Sequence, residues 1–195
     1  FAGRNSGLVG LTGIANAAVF SLVLPAAAQN TSVTFGGGAT WVPNFVILFG
    51  SILGGGFSTD MEYGLGWATS PTSQQCLGFV DRTGAATSRN RRWQRTDRLF
   101  QLYGGKVADL LEADLTLVSF DSGGLTVNNS KAIGMTLYGI AMQVPQVYLT
   151  THTTPTTPST VDVTDCPFVP DLLMAASWSR AASTRRESLT REEGW

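Results

Sequence analysis

Two segments of this chain recur at a spacing of about 127 residues, and this repeat limits how the chain can be divided into domains. Leu11–Ala15 resembles Leu137–Ala141, and Trp41–Leu48 resembles Phe168–Ala175. A period of this length is too long for the stacked repeats of a solenoid, so it indicates tandem domains.

The phase of the repeat predicts where the units begin and end. We expect the end of a preceding unit at 1–16, a complete unit at 17–142 and the start of a following, incomplete unit at 143–195. On this prediction the chain is part of a longer tandem protein, or it is completed by neighbouring copies.

Low charge and many small or β-branched residues predict an all-β fold. Only 14% of the residues are charged, and 22 are glycines. Short runs of β-type residues recur about every 8–12 residues between turn signals such as Gly36–Gly38 and Asp121–Gly124. We predict an antiparallel β-sandwich, jelly-roll-like, in tandem units. The predicted strands are Val19–Leu24, Ser32–Phe35, Phe45–Phe49, Met61–Ala68, Gln75–Val80, Arg98–Tyr103, Leu115–Phe120, Leu125–Asn128, Met135–Met142 and Gln146–Thr150.

Three further segments have their own predictions. Lys106–Glu112 is the one segment whose pattern could make a short helix, although it is too short for a main element. The threonine-rich Thr150–Thr160 is expected to be an inter-domain linker or a long loop between two strands. The apolar run Gly7–Leu24 imitates a secretory signal, but its internal counterpart makes that interpretation the weaker one. Cys76 and Cys166 fall in different units, so we expect free thiols rather than a disulfide.

The largest cluster of charge lies between residues 89 and 98. It allows three interpretations, namely a strip that binds polyanions with Trp93 as a stacking platform, a subunit interface, or a solvated or internally paired face. A net charge of −1 argues against overall attraction to nucleic acid or an anionic membrane, and we predict neither as a partner. The interface or ligand candidates are Arg89, Arg91, Arg92, Trp93, Arg95 and Arg98.

Residues suited to catalysis are sparse. The one histidine, His152, lies in the threonine-rich stretch without a nucleophile motif, and Asp109, Glu112 and Asp114 are a weak signal for a glycosidase pair. We therefore predict no catalytic residue, no metal site and no cofactor. A carbohydrate-binding adhesin remains the alternative function, because Trp93 among arginines is typical of an exposed aromatic platform.

Several motifs taken together resemble the repeated β-rich structural proteins of tailed phages and prophages. A glycine-rich stretch leads into an aromatic-x-Pro-Asp/Asn strand at Gly36–Leu48, and a glycine–aromatic segment follows at Gly64–Pro71. Gln94–Arg98 and Val118–Thr126 come next, and a strand at Leu137–Ala141 closes the unit. The resemblance covers about residues 17–142 as one whole unit.

The resemblance implies a non-enzymatic virion protein of the tail, fibre or capsid-decoration type, located in the extracellular particle. Its implied partners are other copies of itself and other virion proteins, with a host surface glycan on the adhesin alternative. It also implies a structural role for Gln94–Arg98, in which Arg95 and Arg98 anchor Asp97, Asp114 or Asp121 across strands.

Overall fold

A computed structural model describes residues 4–51, 60–82, 89–104, 110–131, 134–154 and 164–178. Every regular element in these ranges is a β-strand, and the strands pair antiparallel, so the predicted all-β antiparallel fold is confirmed. The strands are β1 Arg4–Thr12, β2 Asn16–Leu24, β3 Gln29–Thr34, β4 Phe45–Gly50, β5 Asp60–Ser70, β6 Ser73–Arg82, β7 Arg89–Arg95, β8 Phe100–Gly104, β9 Leu110–Asp121, β10 Gly124–Asn129, β11 Met135–Gln143, β12 Gln146–Thr154 and β13 Leu172–Trp178.

The chain divides into two compact units. The larger is Ile14–Val144, and the smaller combines Phe1–Gly13 with Pro145–Trp195. The sequence-based division at 1–16, 17–142 and 143–195 stays a prediction, as do the tandem units. What the fold adds is that strands from both ends of the chain share one sheet in the smaller unit.

The larger unit consists of two antiparallel sheets that enclose one core. The six-stranded sheet has the order β2-β11-β4-β5-β6-β7, and the four-stranded sheet has the order β3-β10-β9-β8. Because buried side chains from both sheets form a single cluster, the two layers pack as a β-sandwich. The core includes Leu22, Leu48 and Leu137 from the first sheet and Phe100, Leu115 and Leu125 from the second.

Alternation along the strands determines which side chains enter this core. In β2, Phe20, Leu22 and Leu24 are buried, whereas the alternate residues Val19 and Val23 are exposed. Successive side chains of a strand point to opposite faces, so one face of β2 supplies the core and the other does not.

A glycine in β5 permits the close approach of the two sheets. A Cβ atom on Gly66 would overlap the carbonyl oxygen of Leu99, which precedes β8. Backbone cannot move aside as a flexible side chain can, so only glycine fits this position of β5.

The turn between β9 and β10 fixes the connection from β3 to β4. Gly123, with φ of 68°, donates its N–H to the Trp41 carbonyl at 2.9 Å and accepts from the Phe35 N–H at 2.7 Å. The prediction that Asp121–Gly124 forms a turn is therefore confirmed.

The smaller unit contains a three-stranded sheet of order β12-β1-β13, with β1 antiparallel to both neighbours. The predicted linker Thr150–Thr160 begins inside this sheet, because β12 extends to Thr154. Regular antiparallel pairing with β1 outweighs the loop-like composition of this segment. Residues 155–163 lie outside the described residues.

The predicted short helix is wrong over the part that is described. Leu110–Glu112 belong to β9, where Leu110 and Leu111 pair with Gly104 and Tyr103 of β8. Cross-strand hydrogen bonds and a bulge at this end of β9 override a weak local helical preference. The remainder, 106–109, lies outside the described residues.

Candidate functional site

The arginine-rich segment forms an edge strand of the six-stranded sheet and the turn that follows it. β7 pairs only with β6 in the described sheet, and it brings the backbone of Arg89 and Arg91 into that edge. The side chains of these two arginines lie outside the described part of the chain. Arg92 is half-buried and lies opposite Phe79, on the face directed away from the core.

Trp93 is buried, so the prediction of an exposed aromatic platform is wrong. Only 8% of its surface is exposed, and its ring meets that of Tyr103 edge-on at 4.8 Å. Gly78 faces Trp93 across β6 and β7, and a Cβ atom on Gly78 would overlap the indole. The pleat of β7 therefore turns Trp93 into the core, where an aromatic ring contributes more than it would on the surface.

The two remaining arginine candidates, Arg95 and Arg98, form a chain of ion pairs with two aspartates. Arg95 donates from Nε and Nη2 to the two carboxylate oxygens of Asp97, both at 2.8 Å. Arg98 donates from Nη1 to Asp97 Oδ2 at 3.0 Å and from Nε to Asp114 Oδ1 at 2.9 Å. Of the predicted contacts, the one between Arg98 and Asp114 reaches a different strand, whereas Asp97 is held locally by arginines one and two residues away.

The third aspartate of that prediction belongs to a different group. Asp121 accepts hydrogen bonds from the hydroxyls of Ser119 and Thr126, each at 2.8 Å. It therefore supports the β9–β10 turn from within the four-stranded sheet and has no bond to Arg95 or Arg98 among those described.

Asp114 is the nearly buried centre of the polar group. Its carboxylate accepts Arg98 Nε, Gln101 Nε2 at 2.8 Å and the Ser130 hydroxyl at 2.8 Å. The three donors come from the turn before β8, from β8 itself and from the residue after β10. One side chain of β9 thus connects both neighbouring strands, which is a structural arrangement rather than a reactive one.

The charges near this group act on titratable neighbours in the expected directions. Hydrogen bonding from Arg95 holds the pKa of Asp97 below its usual value. Burial, reinforced by the negative charge of Asp114, raises the pKa of the Cys76 thiol to about 12. Cys76 is a free, fully buried thiol, and Cys166 is a free, half-buried one, as predicted for both.

A second candidate region, not singled out in the sequence, lies on the three-stranded sheet. A largely apolar cavity of about 580 Å³ is lined by residues of β1, β12 and β13 and by the segment before β13. Cys166 donates to the Phe168 carbonyl at 3.1 Å, and a hydrogen bond with Asp165 raises the pKa of Tyr148. The principal lining residues are Gly10, Tyr148, Cys166, Phe168, Pro170 and Leu173.

The same sheet face is closed in the larger unit. Val46 of β4 pairs with Ala141 of β11 and is fully buried, whereas Leu173 of β13 pairs with Gly10 of β1 and is 59% exposed. Val169, which also lines the cavity, is 88% exposed. Exposed leucine and valine side chains around a cavity are typical of an association surface.

No group of three or more His, Cys, Asp or Glu side chains in the described ranges has the arrangement of a metal site. None of the described segments is a helix with the length and apolarity to cross a bilayer.

Comparisons of the chain with protein-family models, with curated proteins and with solved structures found no match.

Proposed function

We propose that this chain is a non-enzymatic structural protein that assembles with other copies of itself, as a tail, fibre or capsid-decoration component of a phage particle. The observation that carries the proposal is the open apolar face of the three-stranded sheet. In the larger unit the corresponding face is covered by a second sheet, whereas Leu173 and Val169 beside the cavity are exposed here. Burial of such a surface favours association.

The motifs behind the phage resemblance have structural positions, which supports a structural role. Gly37 and Gly38 adopt φ of 75° and 68° in the loop before β4, and Asp121–Gly124 turns β9 into β10. Arg95 and Arg98 are held by aspartates of the same unit. The carbohydrate-binding alternative loses the exposed tryptophan on which it rested, because Trp93 is in the core.

The proposal is tested by the association state of the purified chain. We expect mass photometry and sedimentation to show assemblies that grow with concentration, and electron microscopy to show regular particles. Leu173→Asp places a charge on the open face and should weaken association. Val118→Asp is the matched control, because Val118 is 40% exposed on the larger unit and should tolerate the charge. A wild-type chain that stays monomeric, or equal assembly of both variants, would contradict the proposal.

A further inference from the structure

The three-stranded sheet reproduces one corner of the six-stranded sheet. The corner consists of β2, β11 and β4, with β11 in the middle, and its counterpart consists of β12, β1 and β13, with β1 in the middle. Met142 pairs with Phe45 in the first, and Leu11 pairs with Leu172 in the second. All four pairings are antiparallel, so β1 takes the place of β11.

An Asx residue anchors the middle strand in the same way in both corners. Asn44 donates its backbone N–H to the Met142 carbonyl at 3.0 Å, and its Oδ1 accepts the Val144 N–H at 2.9 Å. Both bonds fix the end of β11 against the start of β4.

Asp171 forms the equivalent pair of bonds. Its backbone N–H donates to the Leu11 carbonyl at 2.8 Å, and its Oδ2 accepts the Gly13 N–H at 2.9 Å. In the structure, Leu11 therefore corresponds to Met142. The sequence repeat instead matches Leu11 to Leu137. The second matched pair, which sets Phe45 against Leu172, agrees with the structure.

The two middle strands differ in where they stand along the chain. β11 is the last strand of its unit and follows β4, whereas β1 precedes β12 and β13 by the whole of Ile14–Val144. Strand pairing and the bonds of Asp171 therefore hold β1 between β12 and β13. No short connection joins β1 to either of these strands. A strand of this sequence from another molecule would form the same bonds.

The connection from β1 to the larger unit is short and exposed. Gly13, Ile14 and Ala15 are the only residues between β1 and β2, and Gly13 has φ of 34°. Closed and exchanged forms contain the same strand pairs, so their free energies differ mainly through this connection and through the entropy of association. Short connections of this kind favour exchange of the attached element.

We infer that the place between β12 and β13 accepts β1 from a second copy of this chain, so that copies join by exchange of this strand. The inference rests on the proposed assembling function: the exchange joins the copies, and burial of the open face around Leu173 adds to their association once they are joined. Backbone pairing provides the affinity, as in other strand additions, and three features select β1. Asp171 recognises its end, Val9 and Leu11 are buried, and Gly10 leaves space beside Pro170, whose Cβ atom would lie 3.3 Å from an added Cβ.

Copies can exchange β1 in two ways, and the two ways give assemblies of different size. Reciprocal exchange closes a two-fold dimer, whereas one-way exchange leaves one strand and one acceptor unused and continues head to tail. The mass of the product distinguishes them.

Disulfide trapping between two single variants tests the inference. Thr12 pairs with Gln146 in the sheet, so Thr12→Cys in one copy and Gln146→Cys in another meet only when β1 is exchanged. Both carry Cys166→Ser, and Cys76 is retained because it is buried. After the two proteins are refolded together and oxidised, we expect the mixed disulfide as the main product.

The register control uses Thr12→Cys with Thr150→Cys. Thr150 pairs with Leu8, about 13 Å along β12 from Gln146, which is beyond disulfide range. We expect at least about ten times less mixed disulfide from this pair. Equal yields from the two pairs, or no mixed product from either, would overturn the inference.

A chain with both Thr12→Cys and Gln146→Cys separates this inference from the proposed function. Oxidation of the monomer locks β1 in its own molecule, and the locked chain should remain monomeric at concentrations where the reduced chain assembles. If the locked chain assembles equally well, strand exchange is refuted while the assembling function stands. Circular dichroism of the locked chain before and after reduction verifies that it is folded.

Discussion

The two corners, β2–β11–β4 and β12–β1–β13, share strand order, pairing and an Asx anchor but differ in what covers them. Val46 is fully buried in the first, and Leu173 at the corresponding position is 59% exposed in the second. Strand order and register therefore do not require a second sheet. The second sheet instead supplies the burial that stabilises the larger unit, so equivalent substitutions in the two corners should differ in cost.

The largest expected effect comes from preventing the second sheet from closing over the first corner. Gly66→Ala adds a Cβ atom that overlaps the Leu99 carbonyl oxygen, so backbone must move and core contacts are lost. We expect the larger unit to lose at least about 4 kcal/mol of stability in urea unfolding. Gly36→Ala is the control, since no atom lies near its added Cβ. Equal stability of the two variants would refute the close approach of β5 and β8.

The next effect comes from the polar centre of the second sheet. Asp114→Ala leaves Arg98, Gln101 and Ser130 without the carboxylate that they share. We expect a loss of about 3 kcal/mol, measured by urea unfolding, because the buried Gln101 and two part-buried hydrogen bonds lose their acceptor. The variant Arg98→Ala with Asp114→Ala should recover part of the loss, and full additivity of the two changes would contradict a shared network.

A matched pair of truncations measures the corners directly. Val46→Ala removes fully buried methyl groups and should cost about 2 kcal/mol, whereas Leu173→Ala should cost under about 0.5 kcal/mol in the monomer. Hydrogen exchange followed separately in each unit provides the measurement. A cost for Leu173→Ala as large as that for Val46→Ala would show that the smaller unit's face is covered in the monomer.

The Asx anchors should matter less, and unequally. Asn44→Ala removes two hydrogen bonds with Val144, one accepted and one donated, at a part-buried site. Asp171→Ala removes one exposed bond from Gly13. We expect losses of about 1.5 and about 0.5 kcal/mol. Exchange rates of the Val144 and Gly13 amides report each anchor, and protection that survives its Ala substitution would argue against that anchor.

The smallest effect concerns the exposed ion pair between Arg95 and Asp97. Asp97→Asn weakens the contact with Arg95 and should cost under about 0.5 kcal/mol, less at high salt. The pKa of Asp97 is lower in the folded state, so the contribution is present above its unfolded value of 3.8 and is lost as pH falls through the folded value. Thermal melts from pH 7 to pH 2 should show the variant and wild type converging in acid. A difference in melting temperature between variant and wild type that grows as the pH falls would contradict this prediction.

Local sequence patterns predicted most strands of the larger unit. They did not predict that Trp93 is buried in its arginine-rich edge strand. Short apolar runs that include β-branched residues made Val19–Leu24 and Phe45–Phe49 recognisable as strands. β7 has the sequence RNRRWQR, in which only pairing with β6 and the small size of Gly78 place Trp93 in the core. Sequence neighbours indicated exposure because the cross-strand neighbour was unknown.

The candidate site likewise has one part that the sequence could predict and one part that it could not. The pairing of Arg95 and Arg98 with Asp97 was foreseeable, because opposite charges stand within a few residues. The open corner was not, because it requires β1 to meet strands that follow it by the length of a whole unit. Low β-propensity in β1 and β13, which contain glycine or paired alanines, also concealed both strands.

The two cysteines give each unit its own chemical reporter. The thiolate is the form that reacts with alkylating reagents, and Cys76 is both fully buried and shifted in pKa to about 12. Its alkylation therefore requires β5, β6 and β7 to separate from the opposing sheet, and the labelling rate measures the free energy of that opening. Cys166 is half-buried beside the cavity of the smaller unit, so it reacts without such an opening, and a molecule bound in the cavity would slow it. One labelling time course thus records the opening of one unit and the occupancy of the other.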